Sequence, residues 1–373
     1  MAEPTTTALV TLFLCGDVMT GRGIDQVLPS SVDPTLHEPY VRDARHYVEI
    51  AEEESGEIPA PVDYAYVWGD ALDVLEDAKP DLRIINLETS VTTSEDYWKA
   101  KGIHYRMHPD NAALVSKAGI DCVVLANNHV LDWGYAGLEE TLHVLEKNDI
   151  PAVGAGENDA AAAAPVVLEP DDAGRVLVFA YGTPGAGVPS TWAAQSDQPG
   201  VNVLPELSRS TARSVIETIR SRRRPDDLVV LSLHWGNNWG YQIPKEQVDF
   251  AHALIDSGAV DLIYGHSSHH VRPLEIYRNK LILYGCGDFI NDYEGIGGHA
   301  GFRDDLTLMY FPVLDPRTGE LRRLEMAPME IRNFSLRRAS EENARALHEI
   351  LNRESADFGT EIVLRDGRLH LEQ

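Results

Sequence analysis

The sequence predicts an α/β fold, and three observations carry that prediction. Short apolar runs rich in Val, Ile and Leu recur along the 373 residues: LVTLFLC, DLRIINLE, DCVVLANNH, RVLVFAYG, LVVLSLHWG, VDLIYGH and KLILYGC. Runs of that length without polar alternation suit strands buried on both faces. Helical spacing of apolar residues lies between them, at 137–150, 208–222 and 245–258, and strands alternating with helices imply a largely parallel sheet. The third observation is where the runs stop. They end in Asp17, Glu88, Asn128 with His129, His234, His266 with His269, and Asp288. Parallel α/β sheets collect ligands at the carboxyl ends of their strands, so one pattern predicts both the fold and the site.

Taken in order, the first run, Ala8 to Cys15, reads as a buried strand. It has no basic segment before it and is too short to span a bilayer, so no export signal and no anchor are expected, and a cytoplasmic location follows. Residues 29–66 are rich in proline and acid and read as an insertion with one helical stretch. Residues 183–202 are rich in Gly, Pro and Ser; a loop of that length inside a compact domain is usually functional or disordered, and covering the site is one role it could play. Residues 316–373 read as a C-terminal extension, with strand-like runs, a helix from about Ser340 and a closing hairpin whose turn is Asp366-Gly367. The whole, 1–373, reads as one catalytic domain. CGDVM at 15–19 and CGDFI at 286–290 echo each other.

Charge excludes some partners. The net charge of −27 disfavours nucleic acid and anionic membranes, which need a basic patch, and opposes a polyanionic substrate. Cys15, Cys122 and Cys286 all sit in apolar runs and read as buried thiols of a reducing compartment.

Carboxylate, amide oxygen and imidazole are the donors that divalent ions take. Here they follow one another as Asp17 in GDVMTGRG, Glu88 in NLETSVT, Asn128 and His129 in LANNHVLDWG, His234 in LHWGNNWG, and His266 and His269 in GHSSHH. These motifs, with YRMHPDN, VGAGEN and LILYGCGDF, resemble the capsule-synthesis (CapA) family of the calcineurin-like metallophosphoesterase superfamily, whose founding members serve poly-γ-glutamate formation. The match runs from about Leu12 to Phe289. The resemblance implies a calcineurin-like four-layer α/β/β/α sandwich. It implies that Glu88, Asn128, His234, His266 and His269 hold a divalent ion (Ca, Mn, Mg or Zn), with Asp17 at a neighbouring position and His129 as acid/base. Two departures stand out: Met19 where phosphoesterases carry a histidine, and Glu88 where they carry Asp. Methionine is a poor ligand for a hard ion, so one ion is expected rather than two.

Among anchor-free relatives the lasso-peptide epimerase type is similar. Its chemistry, inversion of a Cα centre in a precursor peptide, needs an acid and a base on opposite faces. The expected pair is His129 and His299, with Asp17 and Asp25 as carboxylate partners. Arg22 and Arg106 could clamp a substrate carboxylate, and Trp235 could line a subsite beside it. The leading expectation is thus a metal-dependent peptide epimerase acting on a peptide substrate; the alternatives are a metallophosphoesterase and a component of poly-γ-glutamate capsule synthesis.

Overall fold

A computed structural model describes residues 8–171, 174–297 and 300–372. Two β-sheets face each other between outer layers of helices. The four-layer α/β/β/α expectation is met. In the larger sheet, Leu82–Leu87 is central. Val10–Phe13 and then Asp17–Val18 run parallel along one flank, and Cys122–Val124 runs parallel along the other. Asp288–Ile290 lies outside Asp17–Val18. Beyond Val10–Phe13 the sheet turns antiparallel through Leu306–Leu314 and Leu321–Arg332. It ends in the hairpin Ile362–Arg365 and Arg368–Leu371, where Asp366 and Gly367 both have positive φ, as its two-residue turn requires.

The smaller sheet is parallel at its centre: Val176–Gly182, Leu228–His234, Leu262–His266 and Lys280–Leu283. Antiparallel strands Val166–Leu168 and Leu274–Tyr277 close its edges. Period-two alternation divides its side chains between two cores. Val176, Val178, Leu228, Val230, Leu262 and Tyr264 face the large inter-sheet core. Leu177, Phe179, Val229, Leu231 and Ile263 face the opposite way, onto helices Arg209–Arg222 and Lys245–Asp256. His234 continues the inner row of its strand and His266 that of the next, so both imidazoles emerge between the sheets. The Tyr264 hydroxyl crosses that gap, donating to the Cys15 carbonyl and accepting from the Cys15 amide.

Three sequence expectations are refined. The segment 29–66 is built into the body: Leu36, Glu38, Tyr47, Ala51 and Val62 are buried, and it carries the helix Arg45–Ser55. The loop 183–202 is pinned by a fully buried Trp192 and by Gly200–Val201 pairing with Ala155–Gly156. The two CGD echoes meet. Gly16 and Gly287 pass so closely that a Cβ on Gly16 would lie 2.1 Å from the Gly287 carbonyl oxygen. Asp17 and Asp288 are consequently cross-strand partners. All three cysteines are buried free thiols.

Candidate metal centre and acid–base site

Register brings the site together. Asp17 pairs with Asn86 in the larger sheet, and His234 pairs with His266 in the smaller. The loop after Leu82–Leu87 adds Glu88, and the loop after Cys122–Val124 adds Asn128 and His129. Asp17, Glu88 and His234 are all buried, and one ligand atom of each lies within 4.8 Å of the others. His234 Nδ1 is 3.8 Å from Glu88 Oε2, and His129 Nε2 is 3.9 Å from Glu88 Oε1. Glu88, Asn128, His129 and His234 open onto a cavity of about 220 Å³, lined also by Lys101, Asn238, His269 and Tyr293.

Whether this set fits a divalent ion is tested by its unfilled valences. Both ring nitrogens of His234, Nε2 of His266 and Oδ1 of Asn128 are buried without a hydrogen-bond partner among the described residues. Buried polar atoms are seldom left so, and orphaned imidazole nitrogens and an amide oxygen are the donor types that a divalent ion takes. The charges agree. Burial and the neighbouring Asp17 carboxylate raise the Glu88 carboxyl well above its ordinary range, the strain expected of two carboxyls packed together without a cation between them. Burial opposes ionisation of Asp17 as well, but His266, with His234 and Asn86, outweighs it and holds Asp17 below the usual range. Burial pushes the His234 imidazole down to about 3.

The carboxylates are held by a chain of amides. Asn86 Nδ2 donates to Asp17 Oδ1 at 2.8 Å and to Glu88 Oε2 at 2.9 Å. Asn127 Nδ2 donates to Asn86 Oδ1 at 3.0 Å, and Asn127 Oδ1 accepts from the His129 amide at 3.1 Å. His266 Nδ1 bonds Asp17 Oδ1 at 2.6 Å, which turns the orphaned Nε2 away from that carboxylate. His269 is placed differently. Its Nδ1 bonds Asp288 at 3.0 Å and its Nε2 bonds Asn238 at 2.9 Å, so both nitrogens are engaged at the cavity rim.

His129 forms a second unit. Its Nδ1 bonds Asp132 Oδ2 at 2.6 Å, leaving Nε2 towards Glu88. Burial lowers its pKa to about 4, with Asp132 opposing and Lys101 adding to the effect. The imidazole is therefore neutral at pH 7, with a free lone pair on the cavity side. Asn86, Lys101 and Asp132 are neighbours of these groups that the sequence reading missed. Asn86 had a signal: two residues before Glu88, it shares that residue's strand face. Asp132 had one too, a carboxylate three residues after His129.

The remaining expected residues lie elsewhere or do other work. His299 lies outside the described residues. Asp25 is fully buried away from the triad, accepting from the amides of Val32 and His108 and from Asn111 Nδ2. Arg22 is not an open clamp. Its guanidinium is buried against Asp292 and Glu38, 4.0 Å from the Tyr47 ring centre. Arg106 is likewise committed, to the carbonyls of Ser94 and Asp33 and to the face of Trp133. Trp235 is out of phase with His234, so it points into the helix-side core, where its indole donates to the Tyr284 carbonyl at 3.0 Å. Trp235→Ala is therefore expected to cost about 3–5 kcal/mol of stability while leaving Mn²⁺ affinity unchanged, measured by chemical unfolding and calorimetric titration. A loss of affinity with full stability would put Trp235 in the site after all. Met19 is buried and receives the Tyr293 hydroxyl at 3.9 Å from sulfur.

With the geometry in place, comparison with known proteins decides the family. The family described as bacterial capsule synthesis protein PGA_cap matches residues 11–293. The chain belongs to this capsule synthesis family. A probable polyglutamine synthesis accessory protein of Mycobacterium tuberculosis is 45% identical over 362 residues, 97% of this chain and 95% of that one. The PGA biosynthesis protein CapA of Bacillus subtilis is 28% identical over 248 residues, 66% of this chain and 60% of its own. The capsule biosynthesis protein CapA of Bacillus anthracis is 26% identical over 284 residues, covering 76% and 60%. These names speak of polymer synthesis and none of epimerisation, so the peptide-epimerase expectation gives way to its capsule-synthesis alternative. No helix among the described residues is long and apolar enough to cross a membrane.

Proposed function

We propose that this capsule-family protein is a metal-dependent acid–base enzyme that serves the synthesis of a glutamine- or glutamate-based polymer by acting on amide linkages of the chain. The observation that supports it most is the pairing of two units side by side: a buried Asp17–Glu88–His234 triad, and a neutral His129 whose Nε2 lies 3.9 Å from the triad's Glu88. A bound divalent ion would supply Lewis acidity and charge stabilisation there. His129 takes a proton at Nε2 and returns it, with Asp132 fixing the ring and balancing its charge when protonated. Asn86 keeps Asp17 and Glu88 in place.

Charge favours one polymer. At a net charge of −27 the protein repels a long polyanion, whereas a neutral polyglutamine chain carries no such penalty. The relative with 45% identity bears a polyglutamine synthesis name, in line with that preference.

The test is mass spectrometry of oligo-L-glutamine, γ-linked oligoglutamate and a generic phosphoester, each incubated with Mn²⁺-loaded protein. The expected outcome is a metal-dependent change in the oligoglutamine that His129→Gln abolishes. Turnover of the phosphoester alone would make the protein a phosphoesterase instead. Restoration of polymer in a deletion strain by Glu88→Gln would show a non-catalytic assembly role.

A further inference from the structure

Of the groups surrounding the cavity, Lys101 is the one whose placement exceeds anything the acid–base reading requires. Its ammonium reaches inward from the segment 98–105, with its side chain only 16% exposed. It bonds Asp132 Oδ1 at 2.5 Å, bonds the Asn128 carbonyl, and stands 3.3 Å from His129 Nδ1. One cation thus touches both ends of the Asn128–Asp132 turn that carries the base. We infer that Lys101 is the positioning residue of the site, holding Asp132 and the Asn128 backbone so that His129 keeps its Nδ1 on Asp132 and its Nε2 towards Glu88.

Three observations carry this beyond an incidental ion pair. Asp132 is fully buried and already receives the Tyr105 amide at 2.7 Å on the oxygen that His129 uses. Its second oxygen, Oδ1, has Lys101 as the one donor among the described hydrogen bonds. Without that donor the carboxylate would be buried half-solvated, and a rotation could satisfy it only by leaving His129. Second, the segment bearing Lys101 is wrapped around the same residue: the Trp98 amide donates to the Asp132 carbonyl at 2.8 Å, and the Lys101 amide to the Trp98 carbonyl at 3.1 Å. Third, Lys101, Gly102 and Ile103 line the cavity, so the lysine also ties one cavity wall to the base.

The support beneath the lysine comes from another part of the chain. Trp192 lies 5.3 Å edge-on to Trp98, and its ring centre is 5.4 Å from Lys101 Nζ. The loop 183–202, which the sequence suggested as a cover, therefore acts here as a buttress of Lys101. This role takes its catalytic meaning from the acid–base reading above, but its geometry can be tested without any substrate.

The experiment is proton NMR of the full chain labelled with ¹⁵N-histidine, with Mg²⁺ as the added ion. The far-downfield His129 Nδ1–H signal, assigned by its absence in His129→Gln, is expected in the wild type. Lys101→Met should raise its exchange rate with solvent by about tenfold or more, the effect of losing one charge-assisted hydrogen bond, or broaden it away. Lys101→Arg, which keeps the charge and the donors, should retain it. Lys101→Gln, which keeps a donor without the charge, serves if the methionine variant does not fold. Calorimetric Mn²⁺ affinity should stay within about threefold throughout. An unchanged signal in the methionine or glutamine variant overturns the inference. Loss of the signal on lysine substitution, with no oligoglutamine turnover by the wild type, would leave the positioning role standing while the proposed function fails.

Discussion

Glu88→Gln is expected to weaken Mn²⁺ binding by about 100-fold or more, since it removes a carboxylate that faces both His129 and His234. The same change should stabilise the metal-free protein at neutral pH. The opposition follows from the cause of the Glu88 shift. Burial first, and then the Asp17 carboxylate, disfavour its ionised form. Folded Glu88 therefore binds its proton more tightly than unfolded Glu88. Its contribution to stability is present below the ordinary carboxylate range, at about 4.3, and is lost as pH rises through the raised folded value. Glutamine fills the same volume without charge and still accepts from Asn86 Nδ2. Metal binding has the reverse pH dependence, because the ion needs the deprotonated carboxylate and its affinity grows as pH rises. Chelator-treated protein compared by denaturant unfolding at pH 5 and 7.5, beside calorimetric titration of Mn²⁺, separates the two effects. A glutamine variant that binds Mn²⁺ like the wild type would remove Glu88 from the ligand set.

Strand parity explains what the sequence showed and what it hid. The inner rows Leu228, Val230, Ser232, His234 and Leu262, Tyr264, His266 are visible as alternation, and register then makes the two imidazoles neighbours. The same rule, applied to the adjacent position, puts Trp235 on the far face. A functional role for it came from reading proximity in sequence as proximity in space. Asn86 was legible by parity with Glu88, but a buried asparagine within an apolar run does not announce which groups it bridges. Lys101 had no local signal. It acts across 31 positions on Asp132, through a segment whose course depends on the packing of Trp98 against Trp192. Arg22 shows the converse. An arginine beside a ligand motif suggested a clamp, yet Glu38 and Asp292, 16 and 270 positions away, consume it. Charge pairing at such separations is fixed by tertiary packing, to which composition and periodicity are blind.

Under the proposed function, His129→Gln should lower turnover of oligoglutamine by about 10²–10⁴-fold, the range for loss of a placed general acid or base, with Mn²⁺ affinity held within about threefold. The metal-free protein offers a second readout that needs no substrate. Burial lowers the folded His129 pKa to about 4, against about 6.5 in an unfolded chain. Between those values the unfolded state binds more protons than the folded one. The contribution is fully present above about pH 6.5 and is lost as pH falls through 4, at most about 3 kcal/mol. Glutamine lacks this dependence, so the stability of the wild type relative to the variant should shrink on going from pH 7 to pH 4. If His129 instead rested as an imidazolium paired with Asp132, its folded pKa would lie above 6.5 and the relative stability would grow with acid over the same window. The sign of that slope tells a base waiting for a proton from an acid already carrying one. A neutral imidazole fits the 3.9 Å approach of Nε2 to Glu88, because an ion placed between Glu88 and His234 would repel a second cation there.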